Sequence, residues 1–210
     1  MLSTNQLCCA RGDRILFSDL SFTLSPGQLL HVKGPNGSGK TTLFRAICGL
    51  FLPQQGDILW NNENIKLLDE DYRREFLYLG HQNGIKDDLN GIENLTFSSR
   101  FDENNVSNQQ IWQALGKMGL AGFEDLPTKM LSQGQKRRVA LTRLLLNSAP
   151  LWILDEPFVA LDADAVEFLQ SVIASKLQNG GMVMLTTHQE VALTAGEICQ
   201  LQLGTVEAAG

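Results

Sequence analysis

An α/β fold carrying an antiparallel β subdomain and an inserted helical subdomain is what these 210 residues predict, on three observations. Four short apolar runs, Leu29-Leu30-His31-Val32-Lys33, Phe76-Leu77-Tyr78-Leu79, Leu151-Trp152-Ile153-Leu154 and Met182-Val183-Met184-Leu185, read as buried strands. The first runs straight into a glycine-rich loop, Gly34-Pro35-Asn36-Gly37-Ser38-Gly39-Lys40-Thr41, followed by helical apolar spacing at Leu43, Ile47 and Leu50. Residues 83–130 then change character: they are rich in Asn, Asp, Glu and Gln, with helical spacing and no convincing strand. The expected organisation is one domain over residues 1–210, with 1–82 and 136–210 forming a core plus β subdomain and 83–135 the helical subdomain.

Taken in order, residues 2–24 carry three apolar bursts, Leu7-Cys8-Cys9, Ile15-Leu16-Phe17 and Leu20-Ser21-Phe22-Thr23-Leu24. Arg11-Gly12-Asp13 and Ser25-Pro26-Gly27 punctuate them, which predicts an antiparallel β-meander leading into the loop strand. After the loop helix, Pro53-Gln54-Gln55-Gly56-Asp57 is a turn, and Ile58-Leu59-Trp60 with Asn61-Asn62-Glu63-Asn64-Ile65 makes a short hairpin. Residues 72–74 are a charged approach to the strand that ends in Gly80-His81-Gln82. Helical spacing follows at Ile92, Leu95 and Phe97, and again at Ile111, Ala114, Leu115 and Met118.

Ser132 is placed to cap a helix over 136–147, packed by Val139, Leu141, Leu144 and Leu145, with Lys136, Arg137, Arg138 and Arg143 on a solvated face. The next strand delivers Asp155-Glu156-Pro157 at its end, and Ala160-Leu161-Asp162 leads into an amphipathic helix carrying Val166, Phe168, Leu169, Val172, Ile173 and Leu177. Asn179-Gly180-Gly181 ends that helix, and the last buried strand is followed by Thr186-Thr187-His188. Residues 198–207 predict a terminal hairpin, and Ala208-Ala209-Gly210 a frayed end.

The glycine-rich loop matches G-x-x-x-x-G-K-[ST] at every fixed position, so the core is of the P-loop NTPase type. Its glycines let the backbone curl until successive N–H groups face a bound β-phosphate, and the helix opening at Thr41 turns its positive end toward the same oxygens. Lys40 would then reach the β/γ-phosphates, and the Thr41 hydroxyl would ligate Mg²⁺. The strand ending in two acids supplies the other half: Asp155 would hold Mg²⁺, directly or through water, with Glu156 beside the γ-phosphate. Adjacent carboxylates resist ionising together, and a divalent cation relieves the conflict. ATP and Mg²⁺ are therefore the expected cofactors.

Composition narrows the partners. A net charge of −6 and a sequence pI of about 5.1 argue against a chain built to grip nucleic acid. Mean hydropathy is −0.07, and no apolar run approaches the roughly 20 residues of a membrane span. The opening Met1-Leu2-Ser3-Thr4-Asn5-Gln6 has no basic region leading into a hydrophobic one, so a cytosolic protein is expected. Cys8, Cys9, Cys48 and Cys199 lack C-x-x-C spacing, which favours free thiols in a reducing compartment over a disulfide or metal framework.

In their order along the chain these pieces resemble an ATP-binding-cassette (ABC) ATPase: Walker A from Gly34 through Thr41, a Q-loop at Gln82, a signature at Leu131-Ser132-Gln133-Gly134-Gln135, Walker B ending in Asp155 with Glu156, a D-loop at Ala160-Leu161-Asp162, and a switch histidine at His188. The resemblance implies ATP hydrolysis with Glu156, His188 and Lys40 in catalysis. It implies nucleotide contacts from Gly34, Pro35, Asn36, Gly37, Ser38, Gly39, Lys40, Thr41, Thr42, Gln82, Asp155 and, across a head-to-tail dimer, Ser132 and Gly134. Metal contacts would come from Thr41, Gln82 and Asp155. Two positions depart from the family: Gln133 stands where glycine is usual, and the aromatic that stacks on adenine is missing near Ala10-Arg11, where Arg11 would stack its guanidinium instead.

More narrowly, Tyr78-Leu79-Gly80-His81-Gln82-Asn83-Gly84-Ile85-Lys86 and Gly134-Gln135-Lys136-Arg137-Arg138-Val139-Ala140-Leu141 resemble the haem-exporter ATPases of bacterial cytochrome c maturation. That family implies a peripheral subunit on the cytoplasmic face of the inner membrane, paired with a second ATPase subunit and with membrane-spanning partners. Its hydrolysis is coupled to haem handling and to release of a haem-loaded periplasmic chaperone. The same motifs also suit another ABC importer or exporter, a soluble non-transport ABC ATPase, or a nucleotide-gated binding module.

Overall fold

In the computed structural model, which describes residues 1–101, 106–189 and 196–204, the apolar runs assemble into a parallel sheet. Its order is β6 (Phe76–Leu79), β7 (Leu151–Asp155), β8 (Met182–Thr186), β3 (Gln28–Lys33) and β9 (Glu197–Gln202). Every residue of β7 and β8 is buried, as expected for parallel strands covered on both faces. The covering differs on the two sides. One core cluster joins Leu30, Val32, Ile153 and Met184 to Leu43, Phe44 and Ile47 of α1 (Lys40–Ile47) and to Leu2, Leu7 and Phe17 of the antiparallel sheet. The other joins Leu29, Leu79, Leu154 and Leu185 to Leu169, Ile173 and Leu177 of α7 (Ala163–Gln178).

The antiparallel sheet has the order β2 (Arg14–Leu24), β1 (Leu2–Arg11), β4 (Gln55–Trp60), β5 (Glu63–Asn64). The expected meander of three bursts is replaced by two long strands whose register shifts between Thr4 and Leu7, Leu7 and Cys9, and Cys9 and Ala10. These bulges explain the misleading pattern: each extra residue resets the in/out alternation, so Leu7, Cys8 and Cys9 are all buried in succession. The hairpin at Trp60 forms as expected, with Trp60 opposite Glu63, but Ile65 opens a helix, α2 (Ile65–Arg73), that the charged sequence hid. Asn64 caps it through Lys66 N–H, and Tyr72 anchors it by donating from its hydroxyl to the Ile47 carbonyl at 2.9 Å.

A third cluster, Leu95, Ile111, Leu115, Leu120, Leu131 and Val139, holds α3 (Gly91–Phe101) and α4 (Asn108–Lys117) together. Phe97 is not part of that core: it is exposed, with the Lys86 ammonium 4.0 Å from its ring centroid. Ser132 caps α5 (Gln133–Leu141) in a capping box with Gln135, so the helix starts three residues before the expected 136; a second short helix, α6 (Arg143–Leu146), follows. α5 bridges two clusters, since Val139 belongs to the helical one and Leu141 to the α7 side of the sheet. Of the expected terminal hairpin, residues 197–202 form β9, which pairs parallel with β3 at the sheet edge. Its expected second half, residues 205–207, and the frayed end lie outside the described residues. Among the described residues no helix is long and apolar enough to cross a membrane.

Candidate functional site

Four strands of the parallel sheet aim their carboxyl ends at one region, where open α/β sheets hold their ligands. β3 delivers the P-loop, β7 delivers Asp155 and Glu156, β8 delivers Thr186 and then His188, and β6 delivers His81 and Gln82. β8 lies between β3 and β7, which leaves space between the P-loop and the acids. That space is an open cleft of about 650 Å³, lined by Asn36, Gly37, Gly39, Lys40, Thr41 and Thr42, by Asp155, Glu156 and His188, and by Arg11 and Leu16 from the antiparallel sheet.

The loop conformation is local in origin. Gly34, Gly37 and Gly39 all have positive φ. At Gly34 an added Cβ would overlap the Leu203 carbonyl, and at Gly39 it would crowd the Phe17 ring at 3.1 Å on a backbone at φ +100 that side chains rarely adopt. Lys40 Nζ donates to the carbonyls of Gly34 at 2.7 Å and Pro35 at 3.2 Å, which folds the ammonium over the loop mouth.

The acids are held by a chain of hydrogen bonds. Thr41 Oγ1 donates to Asp155 Oδ2 at 2.7 Å, and Thr186 Oγ1 donates to Asp155 Oδ1 at 2.8 Å. The same Thr186 oxygen accepts from Glu156 N–H at 3.0 Å. Glu156 has φ +52, a left-handed conformation that costs a non-glycine residue about 1–2 kcal/mol. Its Oε2 accepts from His188 N–H at 3.3 Å, and His188 Nε2 lies 3.5 Å from its Oε1.

Around the phosphate loop and the acids, Ser38 Oγ and Glu156 Oε1 are buried with no hydrogen-bond partner among the described residues. Such atoms are costly unless a ligand or water completes them. The hydroxyl of Thr41 beside a carboxylate oxygen of Asp155 is the oxygen-only donor set that a hard cation such as Mg²⁺ takes. The residues present therefore fit both a triphosphate and its metal.

The remaining expected site residues lie outside this cleft. Gly34 borders an adjoining recess with His31, Lys33, Lys40 and His188. Gln82 is exposed and lines a separate recess of about 470 Å³ that shares Thr41 and His81 with the cleft, so in this conformation it is not beside Asp155. Ser132 and Gln133 are exposed and do not line the cleft. Gly134 packs on the D-loop: a Cβ there would lie 2.7 Å from the Ala160 carbonyl. Arg138 pairs with Asp162 and donates to the Met118 carbonyl at 3.3 Å, tying the signature helix to the same D-loop.

Two residues went unassigned in the sequence reading. Thr186 is legible only as a hydroxyl just after a buried strand, a signal shared by many cores. Arg137, placed there on a solvated face, is 4% exposed. It donates to the carbonyls of Gly80, Asp155, Glu156 and Pro157 and to Asn83 Oδ1. Burial lowers its pKa, and the charges of Asp155 and Glu156 act in the opposite direction. A run of cations on a helix masks a member that turns inward.

A glycine-rich loop between a strand and a helix faces an acid-bearing strand end on one P-loop core, and residues 17–159 match the ABC transporter family. The chain belongs to that family, as an ATP-hydrolysing cassette. Several of its relatives share a name. It is 51% identical over 203 residues to the cytochrome c biogenesis ATP-binding export protein CcmA of Nitrosomonas europaea, covering 97% of this chain and 95% of that one. It is 44% identical over 204 residues to the CcmA of Aliivibrio fischeri, covering 97% and 100%. Among solved structures it superposes on a dimeric ATP-binding cassette in a post-hydrolysis state with ADP and Pi, at a TM-score of 0.83 and 24% identity, over 98% of this chain and 97% of that one.

Proposed function

We propose that this cassette is the ATPase of a membrane complex in cytochrome c maturation, where hydrolysis drives haem handling and release of a haem-loaded periplasmic chaperone. The observation that carries it is the hydrogen-bonded run from Thr41 through Asp155 and Thr186 to Glu156 at the P-loop mouth. It occurs in a chain half identical to proteins named for cytochrome c biogenesis. The subunit sits at the cytoplasmic face of the inner membrane, held there by membrane-spanning partners. The segment 83–135 acts as the arm that meets them.

Within the site, backbone N–H groups of the P-loop and the Lys40 ammonium hold the phosphates, and Ser38 and Thr42 add hydroxyls beside them. Thr41 and Asp155, together with Gln82, would hold Mg²⁺, which when bound would supply charge neutralisation at the phosphate oxygens. Glu156 orients the attacking water and draws on its proton through Oε1, which accepts no hydrogen bond although His188 Nε2 lies 3.5 Å away. His188 holds that carboxylate and reaches the γ-phosphate side of the cleft. Arg11 stacks on the base at the outer wall. A second copy closes the cleft with Ser132 and the Gly134 N–H, which accords with Ser132 being exposed and not lining its own cleft. ATP contacting both copies favours the closed pair, and its loss reopens it.

The test is Glu156→Gln in the ATPase isolated from membranes with its bound subunits. The expected result is loss of turnover with ATP still bound and a stable ATPase pair. Unchanged turnover removes Glu156 from this role, and bound subunits unrelated to haem handling transfer the ATPase to another transporter.

A further inference from the structure

We propose that Arg137 is a positioning residue for hydrolysis, one buried guanidinium that ties the backbone of Glu156 to the Gly80–Asn83 stretch on either side of Gln82, so that arm movement reaches the water-orienting carboxylate. This rests on the role given to Glu156 above.

The contacts divide into two sets. Nη1 donates to Gly80 O at 3.1 Å and Asn83 Oδ1 at 3.2 Å, on the Q-loop side. Nη2 donates to Asp155 O at 3.2 Å and Glu156 O at 2.9 Å, and Nε to Pro157 O at 3.4 Å, on the catalytic side. Each N–H of the fork thus has an acceptor, and none of the acceptors is a carboxylate oxygen. Sinking a cation among neutral carbonyls is a costly way to fill space, since an apolar side chain of similar volume serves packing better. The arrangement makes sense as a clamp. Glu156 is strained at φ +52, with its N–H held by Thr186 and its carbonyl by Arg137, so its backbone is pinned at both ends.

The other set of contacts lies just before Lys86, Asp87 and Asp88, and it is these residues that are stapled to the helical arm. Lys86 N–H donates to Asn94 Oδ1 at 2.7 Å, and Thr128 Oγ1 donates to the Lys86 carbonyl at 2.9 Å. Lys136 pairs with Asp87 at 2.7 Å and Lys129 with Asp88 at 2.9 Å. Arg137 itself rides on α5, whose Val139 packs in the arm and whose Leu141 packs against the sheet. A planar fork satisfies both sets only while both are in register. Displacing the arm therefore releases the Glu156 carbonyl or drags it, and either shifts the carboxylate.

The experiment compares Arg137→Gln and Arg137→Lys in the ATPase purified with its membrane subunits, reading kcat, binding of a non-hydrolysable ATP analogue and the urea midpoint. The expected result is a fall in kcat of at least about tenfold with analogue affinity within about twofold, because misplacement acts on the reaction more than on binding. In a Glu156→Gln background, single-turnover rates should fall by less than about twofold more, since the residue through which Arg137 acts is already gone. Arg137→Lys keeps the charge but has one nitrogen for two sets of acceptors, so it should show the same split and stands in if Arg137→Gln fails to fold. The inference is overturned by a kcat within about twofold of the parent, or by an equal fall in both backgrounds, which marks a purely structural residue. If Glu156→Gln itself keeps turnover, the underlying reading fails instead, whatever Arg137 does.

Discussion

Replacing Thr186 with Val removes one hydroxyl and keeps the volume, at a position with no solvent exposure. That hydroxyl donates to Asp155 Oδ1 at 2.8 Å and accepts the Glu156 N–H at 3.0 Å. Losing a hydrogen bond to a charged group costs about 1.5–3 kcal/mol, and leaving a backbone N–H unpaired in the interior costs about 1–3 kcal/mol. The two terms share one atom and do not add fully, so a loss of about 3 kcal/mol is expected. With a urea slope of about 2 kcal/mol/M the unfolding midpoint should drop by about 1.5 M at unchanged slope. Thr186→Ser keeps both hydrogen bonds and should stay within about 0.5 M of the parent, the cost of a single methyl. Turnover should follow the same order, because Glu156 loses its hold only in the valine variant. A midpoint shift under about 0.3 M for Thr186→Val would refute the reasoning, since the network would then contribute little to stability.

Arg11→Ala should weaken ATP binding about three- to fivefold, the equivalent of about 0.5–1 kcal/mol of stacking, while tripolyphosphate competes as before; equal losses for both ligands would remove the stacking role. His31 gives a pH signature. Burial lowers its pKa below the ordinary 6.5, with the Thr187 carbonyl opposing that shift and Lys33 adding to it. The unfolded chain then takes up a proton more readily than the folded one. Its contribution to stability is complete above pH 6.5 and is lost as the pH falls through the lower, folded value. His31→Gln should therefore flatten the fall in urea midpoint below about pH 6.5 and leave the profile unchanged above about pH 7. A variant whose midpoint tracks the parent's fall throughout would contradict this.

Much of the cleft was legible because its parts are local. The P-loop needs positive φ at Gly34, Gly37 and Gly39 and a lysine at the helix start, all within eight consecutive residues. Asp155 and Glu156 announce themselves by following an apolar run, and Ser132 by the glutamine three residues on that completes its capping box. Irregular pairing was harder to read. Bulges in β1 put three consecutive buried residues where alternation is the only guide to register, and α2 carries too few buried residues to show a helical stripe, Ile65 and Tyr72 alone among its described positions.

The order of the motifs, the phosphate loop and the acids that face it were determined by the sequence alone, since each depends on neighbours a few residues away. The tertiary structure alone decided that Arg137 turns inward, that Thr186 joins Asp155 to Glu156, and that Ser132 does not line its own cleft. The reason is the reach of the contacts. Arg137 finds acceptors 57 and 54 residues before it and 18 to 20 residues after it. Thr186 meets Asp155 across 31 residues. Whether a polar side chain is buried depends on acceptors that only the folded sheet brings together.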